Sequence, residues 1–257
     1  MGGSDTRMLR KGYQVTADHE ATHWWFVARR QLVLLQVRRA VAEVGSLGRA
    51  PRLLDYGCGT GFALTFLADF GDVYGGDVGP DALREFQRSH RFPLLDLNAD
   101  LEPYYGTFDV LTALDVLEHI DDDVDGLRRM ERLVSPRGQI ILTVPAYPWL
   151  WGGEDVISQH KRRYTKRALV RACRAAGLDV LYMSYFNILT LPAMATVVWT
   201  RRLTSPRWAE QSNLDAGPRR LNGFLRRLTE FEARLVGSER IPLPAGTGLV
   251  CRLRAPA

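Results

Sequence analysis

Residues 53–61 read LLDYGCGTG. An apolar pair runs into an acid, Asp55, and Gly57, Gly59 and Gly61 then alternate with other residues. Glycine adopts φ > 0 at little steric cost and lets a ligand approach the main chain. In open α/β sheets, ligands sit beyond the carboxyl ends of the strands, where such a turn would lie. Spacing separates two ligand classes. Dinucleotide sites want G-x-G-x-x-G, but the sixth position here is Phe62 and the third glycine comes early, at Gly61. A carboxylate ahead of the turn would repel a pyrophosphate, whereas a cationic ligand with an amino-acid end suits it.

Working outward, short apolar runs alternate with helical patterns. Strands are expected at 52–56, 72–78, 108–114 and 138–145, with helices at 61–70, 79–89 and 121–134. The first turn of the 121–134 segment is acidic, which suits a helix dipole. Alternation of this kind implies a parallel, doubly wound sheet with right-handed crossovers. Upstream, 17–44 carries apolar positions at helical spacing and ends at Gly45. After Pro145 comes a polar and aromatic loop. A helix follows, with Thr165 as N-cap and Gly177 just past its end. Residues 180–186 read as a buried strand, 191–202 as a helix opening near Pro192, and 201–218 as irregular. Residues 219–236 form a basic amphipathic helix, with Leu221, Phe224, Leu225, Leu228, Phe231 and Leu235 on one stripe. A strand at 247–254 closes the chain.

The 257 residues carry a formal charge of +5. That mild excess is compatible with a polyanion or an anionic membrane surface without demanding either. Cys58, Cys173 and Cys251 form no CxxC pair, which argues against a disulfide framework or a cysteine-built zinc site and for a reducing cytoplasm. The N-terminal residues lack the apolar core of a signal peptide. Residues 180–200 carry no charge and are long enough to span a bilayer, but Ser184, Asn187, Thr190, Pro192 and Thr196 interrupt them. The expectation is no span; peripheral contact with lipid stays open.

The glycine segment resembles motif I of the class I S-adenosylmethionine-dependent methyltransferases, and the likeness continues in order through residue 145. The stretch VYGGDV (73–78) resembles the family's second-strand acid, NADLEPYYGTFD (98–109) its adenine-side segment, and ALDVLEHI (113–120) its fourth-strand motif. The resemblance implies S-adenosylmethionine as cofactor and S-adenosylhomocysteine as product. It assigns them Asp55, Gly57, Cys58, Gly59, Gly61, Asp77, Val78, Asn98, Ala99, Leu114 and Asp115. It further implies a Rossmann-like, seven-stranded, mostly parallel sheet with helices on both faces. Residues 1–48 would be a helical lid and 49–257 the cofactor-binding domain, with an acceptor loop at 146–165 and a helical insertion at 187–240.

The segments HWWF (23–26), QHKRRYT (159–165) and YFNILTLP (185–192) resemble a subgroup of the same family. On that basis His119 and His160 are candidate bases, and Trp25, Tyr147, Trp151, His160, Arg163 and Tyr164 candidate acceptor contacts. Asp115, Glu118 and His119 stand at i, i+3 and i+4, so one helical turn would bring them onto one face. This resembles the Mg²⁺ set of ubiquinone-pathway O-methyltransferases and small-RNA 2′-O-methyltransferases, to which His160 would add a ligand, although the primary expectation is a site without metal. The expected reaction is methyl transfer to oxygen or nitrogen of a small-molecule or isoprenoid-like lipid acceptor. The alternatives are an RNA methyltransferase, suggested by the arginines of 219–234, and a non-catalytic cofactor-binding protein.

Overall fold

The computed structural model describes residues 17–45, 48–79, 92–210, 212 and 219–255. Seven strands form one sheet: β1 (Arg52–Tyr56), β2 (Asp72–Asp77), β3 (Leu94–Asp96), β4 (Phe108–Leu114), β5 (Val134–Pro145), β6 (Asp179–Phe186) and β7 (Gly248–Arg254). Their order is β3-β2-β1-β4-β5-β7-β6. The first five are parallel, and β7 runs antiparallel to both its neighbours. Buried Val, Leu and Ile on β1, β4 and β5 supply apolar side chains to both faces, as a sheet covered on both sides requires.

On one face, Leu127, Met130 and Leu133 of α3 (Asp123–Leu133) and Leu169 and Cys173 of α5 (Lys166–Ala175) join the core. On the other, Val33, Val37 and Ala40 of α1 (Trp24–Val44) pack with Leu64 and Leu67 of α2 (Phe62–Leu67). The order turns back between β1 and β4, so the carboxyl ends of these two strands border the crevice where a ligand fits. Two further helices border that crevice, α4 (Gly153–Ile157) and α6 (Leu191–Thr204), while α7 (Asn222–Gly237) packs on α1.

The architecture matches expectation; several boundaries do not. Helix α1 starts at Trp24, because the His23 Nδ1 accepts the Trp25 N–H at 3.3 Å and Asn222 Oδ1 accepts the Trp24 N–H at 2.8 Å. The second of these partners lies far along the chain, out of reach of local patterning. Strand β5 begins at Val134, where pairing with Phe108 extends it past the expected start. Strand β3 has only three residues, too few for a period to register. The expected 79–89 helix lies outside the described residues. Thr165 caps α5 by accepting the Ala168 N–H, and Gly177 follows it with φ +84°.

The stripe expected to bury α7 is turned differently. Thr229, Glu232, Ala233 and Val236 face inward, while Leu221, Phe224, Phe231 and Leu235 are exposed. Polar anchors set this rotation. The Glu232 carboxylate accepts the N–H groups of Ile188 and Leu189, at 3.0 and 3.2 Å, and Tyr182 Oη donates to Val236 O at 2.8 Å. No helix among the described residues is long and apolar enough to cross a membrane.

Candidate active site

The chain leaves β1 through Gly57, Gly59 and Gly61, with φ of 78°, 52° and 76°. The N–H groups of Gly57 and Cys58 both donate to Gly76 O, at 2.7 and 2.9 Å, and Gly61 N–H donates to Cys58 O at 2.8 Å. A Cβ at Gly57 would lie 2.5 Å from Val116 Cγ2. Gly57→Ala should therefore destabilise by about 2–4 kcal/mol, the left-handed backbone and the overpacking both contributing. Gly177→Ala, at φ +84° with nothing within 4 Å of the added carbon, isolates the backbone part. Equal losses in denaturant melts of the two variants would show that the contact with Val116 is relieved.

Asp77, 3% exposed at the end of β2, braces the turn. Its Oδ2 accepts the Gly59 N–H and its Oδ1 the Gly79 N–H, each at 2.8 Å. Asp55 is equally buried and accepts the Thr112 Oγ1–H at 2.7 Å. Burial pushes its pKa up to about 6, against the pull of Thr112 and Arg29. A folded-state pKa above the unfolded value penalises folding as pH rises from about 4 through about 6. Asp55→Asn keeps the acceptor for Thr112 and removes the charge. In the ligand-free protein it should leave stability unchanged below pH 4 and raise it by up to about 3 kcal/mol above pH 6.5. Melts that shift equally at both pH values would refute that origin.

A cavity of about 440 Å³ lies over the crevice. Asp55, the glycine turn, Asp77 and Val78 line one end, and Leu114, Asp115 and Val116 its floor. Trp25, Phe26 and Arg29 of α1 cover it, joined by Met194 and Val198 of α6. Arg29 forms an ion pair with Asp115, its guanidinium 4.7 Å from the Trp25 ring centre. Burial draws the Arg29 pKa down to about 10, while Asp55, Glu118 and Glu20 favour its charge, so it stays cationic at neutral pH. Glu20 also accepts the Thr60 hydroxyl at 2.6 Å, which ties the segment before α1 to the glycine turn.

The other end of the cavity is built from Glu118, His119, His160 and Arg163. Glu118 is fully buried with neither carboxylate oxygen hydrogen-bonded, and burial pushes its pKa up to about 8. Burial lowers His119 to about 4, helped by His160 and Lys161. The two imidazoles meet edge to face, 4.8 Å between centres. His160 Nδ1 lies 2.8 Å from Asp155 Oδ1, which also accepts Arg163 Nε–H at 2.7 Å. Because a carboxylate only accepts, Nδ1 carries the hydrogen, and in the neutral ring Nε2 keeps the lone pair. Burial would raise Asp155, but the hydrogen bond from His160 and the Arg163 charge outweigh it and hold its pKa below the ordinary carboxylate value.

A family model described as a methyltransferase domain matches residues 15–183. The chain belongs to the class I S-adenosylmethionine-dependent methyltransferases. It is 32% identical over 186 residues to a ubiquinone biosynthesis O-methyltransferase of Pseudomonas aeruginosa, covering 62% of this chain and 79% of that protein. The Vibrio campbellii enzyme of the same name is 29% identical over 138 residues, 48% of this chain and 57% of that one. Among solved structures, the methyltransferase complexed with the Trm112 activator of Haloferax volcanii aligns with TM-score 0.56 at 17% identity, over 98% and 96% of the two chains. The [4+2]-cyclase SpnF aligns with TM-score 0.51 at 19% identity, over 86% and 82%; at these identities the likeness is one of fold. The lining fits S-adenosylmethionine: Gly57 and Gly59 bring side-chain-free main chain to the cavity wall, and the two buried carboxylates beside it, Asp55 and Asp77, suit a cation and hydroxyl groups.

In this methyltransferase, Asp55, Gly57, Cys58, Gly59, Asp77, Val78, Leu114 and Asp115 line the cavity, as do Trp25, His119, His160 and Arg163. Gly61 shapes the turn from within. Asn98 and Ala99 lie off the wall and are exposed; Asn98 Nδ2 donates to Val78 O at 3.1 Å. Three expected acceptor contacts are corrected. Tyr147 stacks on Trp149 and Tyr185, and Tyr164, 2% exposed, donates to Asp123 at 3.0 Å. Both turn away because their main chains continue the pairing next to β5: Tyr164 N–H donates to Pro145 O and Tyr147 N–H to Tyr164 O. Trp151 is likewise outside the wall, its carbonyl taken by Arg202.

The proposed metal face is also rearranged. Asp115 sits at φ 58° and turns to Arg29, whereas Leu117–His119 forms a 3-10 turn, so His160 rather than Asp115 meets Glu118 and His119. The sequence reading missed Arg29 and the bond between Asp155 and His160, although the pairing of Arg163 with Asp155 is one that it offers. Arg29 lies just past HWWF, the only hint that helix α1 meets the site.

Proposed function

We propose that the enzyme methylates a hydroxyl oxygen of a small hydroxylated molecule. One observation carries this reading: a single cavity joins the glycine turn to the buried corner of Glu118, His119 and His160. Similarity to proteins named for O-methylation in ubiquinone biosynthesis supports oxygen as the acceptor atom.

Asp55, Gly57, Cys58, Gly59 and Asp77, with Val78, Leu114 and Asp115, would hold the cofactor. S-adenosylmethionine, when bound, supplies a methyl group already activated on a sulfonium. What remains for the protein is to align the acceptor and remove its proton. His160 Nε2 takes that proton, while Asp155 fixes the tautomer through Nδ1 and balances the imidazolium that forms. His119 stays neutral at physiological pH and walls the acceptor. Trp25, Phe26 and Arg29 close the site against water, so residues 17–45 act as a cover. The test pairs calorimetry for S-adenosylhomocysteine with label transfer from methyl-labelled cofactor to catechol and related phenols. Binding together with a labelled ether product is expected; binding with no transfer to any hydroxylated probe would overturn O-methylation.

A second reading rests on the unbonded oxygens of Glu118, which lie with the nitrogens of His119 and His160 inside 4.8 Å. These three would hold a divalent cation and supply Lewis acidity at the acceptor oxygen. Activity lost on chelation and restored by Mg²⁺ or Zn²⁺ supports this reading. Indifference to chelator ends it.

A further inference from the structure

Helix α7 shows water a surface that a soluble enzyme does not need. Phe224 is 64% exposed and Phe231 59%, with Leu221 and Leu235 exposed beyond them. Arg227 and Arg234 are exposed too. Phenylalanines and arginines each repeat at seven residues, so they interleave along one stripe of about 20 Å. The helix's acids do not balance this stripe: Glu230 pairs with Arg226, and Glu232 is turned inward to the main chain at 188–189. Val236, Ala233 and Thr229 already fill the inner face, so among the described residues folding leaves the outer one bare.

We propose that this outer face of α7 docks the protein on an anionic lipid bilayer. Aromatic side chains enter the headgroup–acyl boundary while the arginines between them meet lipid phosphates. A second copy fits less well, because it would bring the same unbalanced arginines together with no acid to pair them. The inference is independent of the acceptor and of the chemistry in the cavity.

Full-length protein is sedimented with vesicles of phosphatidylcholine alone and of equal parts phosphatidylcholine and phosphatidylglycerol. Binding to the second kind only, weakening with salt, is expected. Arg227→Gln with Arg234→Gln should lower the partition coefficient on the order of 25-fold, about fivefold for each arginine. Phe224→Ser with Phe231→Ser should also abolish sedimentation. S-adenosylhomocysteine binding, unchanged in both pairs, confirms folding; should the phenylalanine pair fail this control, the arginine pair alone decides. No binding to anionic vesicles, or equal binding by the arginine pair, overturns the proposal. So does a dimer in size-exclusion chromatography that Phe231→Ser dissociates, which would give the face to a second copy.

Discussion

Replacing Asp77 with alanine is expected to weaken S-adenosylhomocysteine binding by about 100-fold or more and to lower stability by about 3–5 kcal/mol. The carboxylate is buried and takes two main-chain N–H groups, from Gly59 and from Gly79. Each charge-assisted bond is worth about 1.5–3 kcal/mol, and alanine leaves both donors without that acceptor. The glycine turn then loses the side-chain brace that fixes Gly59 in the cavity wall. Asp77→Asn separates shape from charge: one amide oxygen can still take one N–H, so it should recover part of the stability but less of the affinity. Calorimetry of all three proteins reads both quantities. Unchanged affinity in the alanine variant would remove Asp77 from the cofactor site.

His160→Ala should lower kcat by about 100-fold or more with KM changed only a few-fold, since a positioned base contributes roughly 10²–10⁴. The imidazole is placed by Asp155 on one side and faces His119 and Glu118 on the other. Asp155→Asn should give an intermediate loss. It no longer balances the imidazolium and favours the wrong tautomer, although Arg163 and the Gly152 N–H hold the same side chain in place. Thermal melts must accompany both measurements, because Asp155 is fully buried. Full turnover by the His160 variant would put the base elsewhere and leave His160 a wall residue.

The parts legible in the sequence were those set by short-range chemistry. Three glycines at alternating positions gave away the turn, Thr165 and Gly177 the ends of α5, and the runs of β-branched and aliphatic residues the covered strands. The misread parts depended on distant partners. Leu221, Phe224, Phe231 and Leu235 look like a core stripe when α7 is considered alone. Glu232 and Tyr182, bonding across to other elements, turn that helix the other way. Tyr147 and Tyr164 look like acceptor contacts until the bridge between Ala146 and Tyr164 beside β5 directs Tyr164 into the core and leaves Tyr147 stacked on Tyr185 at its edge.

The sequence by itself therefore determined the doubly wound sheet and the glycine turn, because periodicity and the glycine spacing act within a few residues, while the class of cofactor followed from the ordered likeness to a known family. Tertiary structure alone decided who meets whom in the cavity. Arg29 reaches Asp115 across 86 residues, and His160 rather than Asp115 completes the corner with Glu118 and His119. A buried charge accepts whichever partner the packed chain brings within reach, and no local pattern of residues encodes that choice.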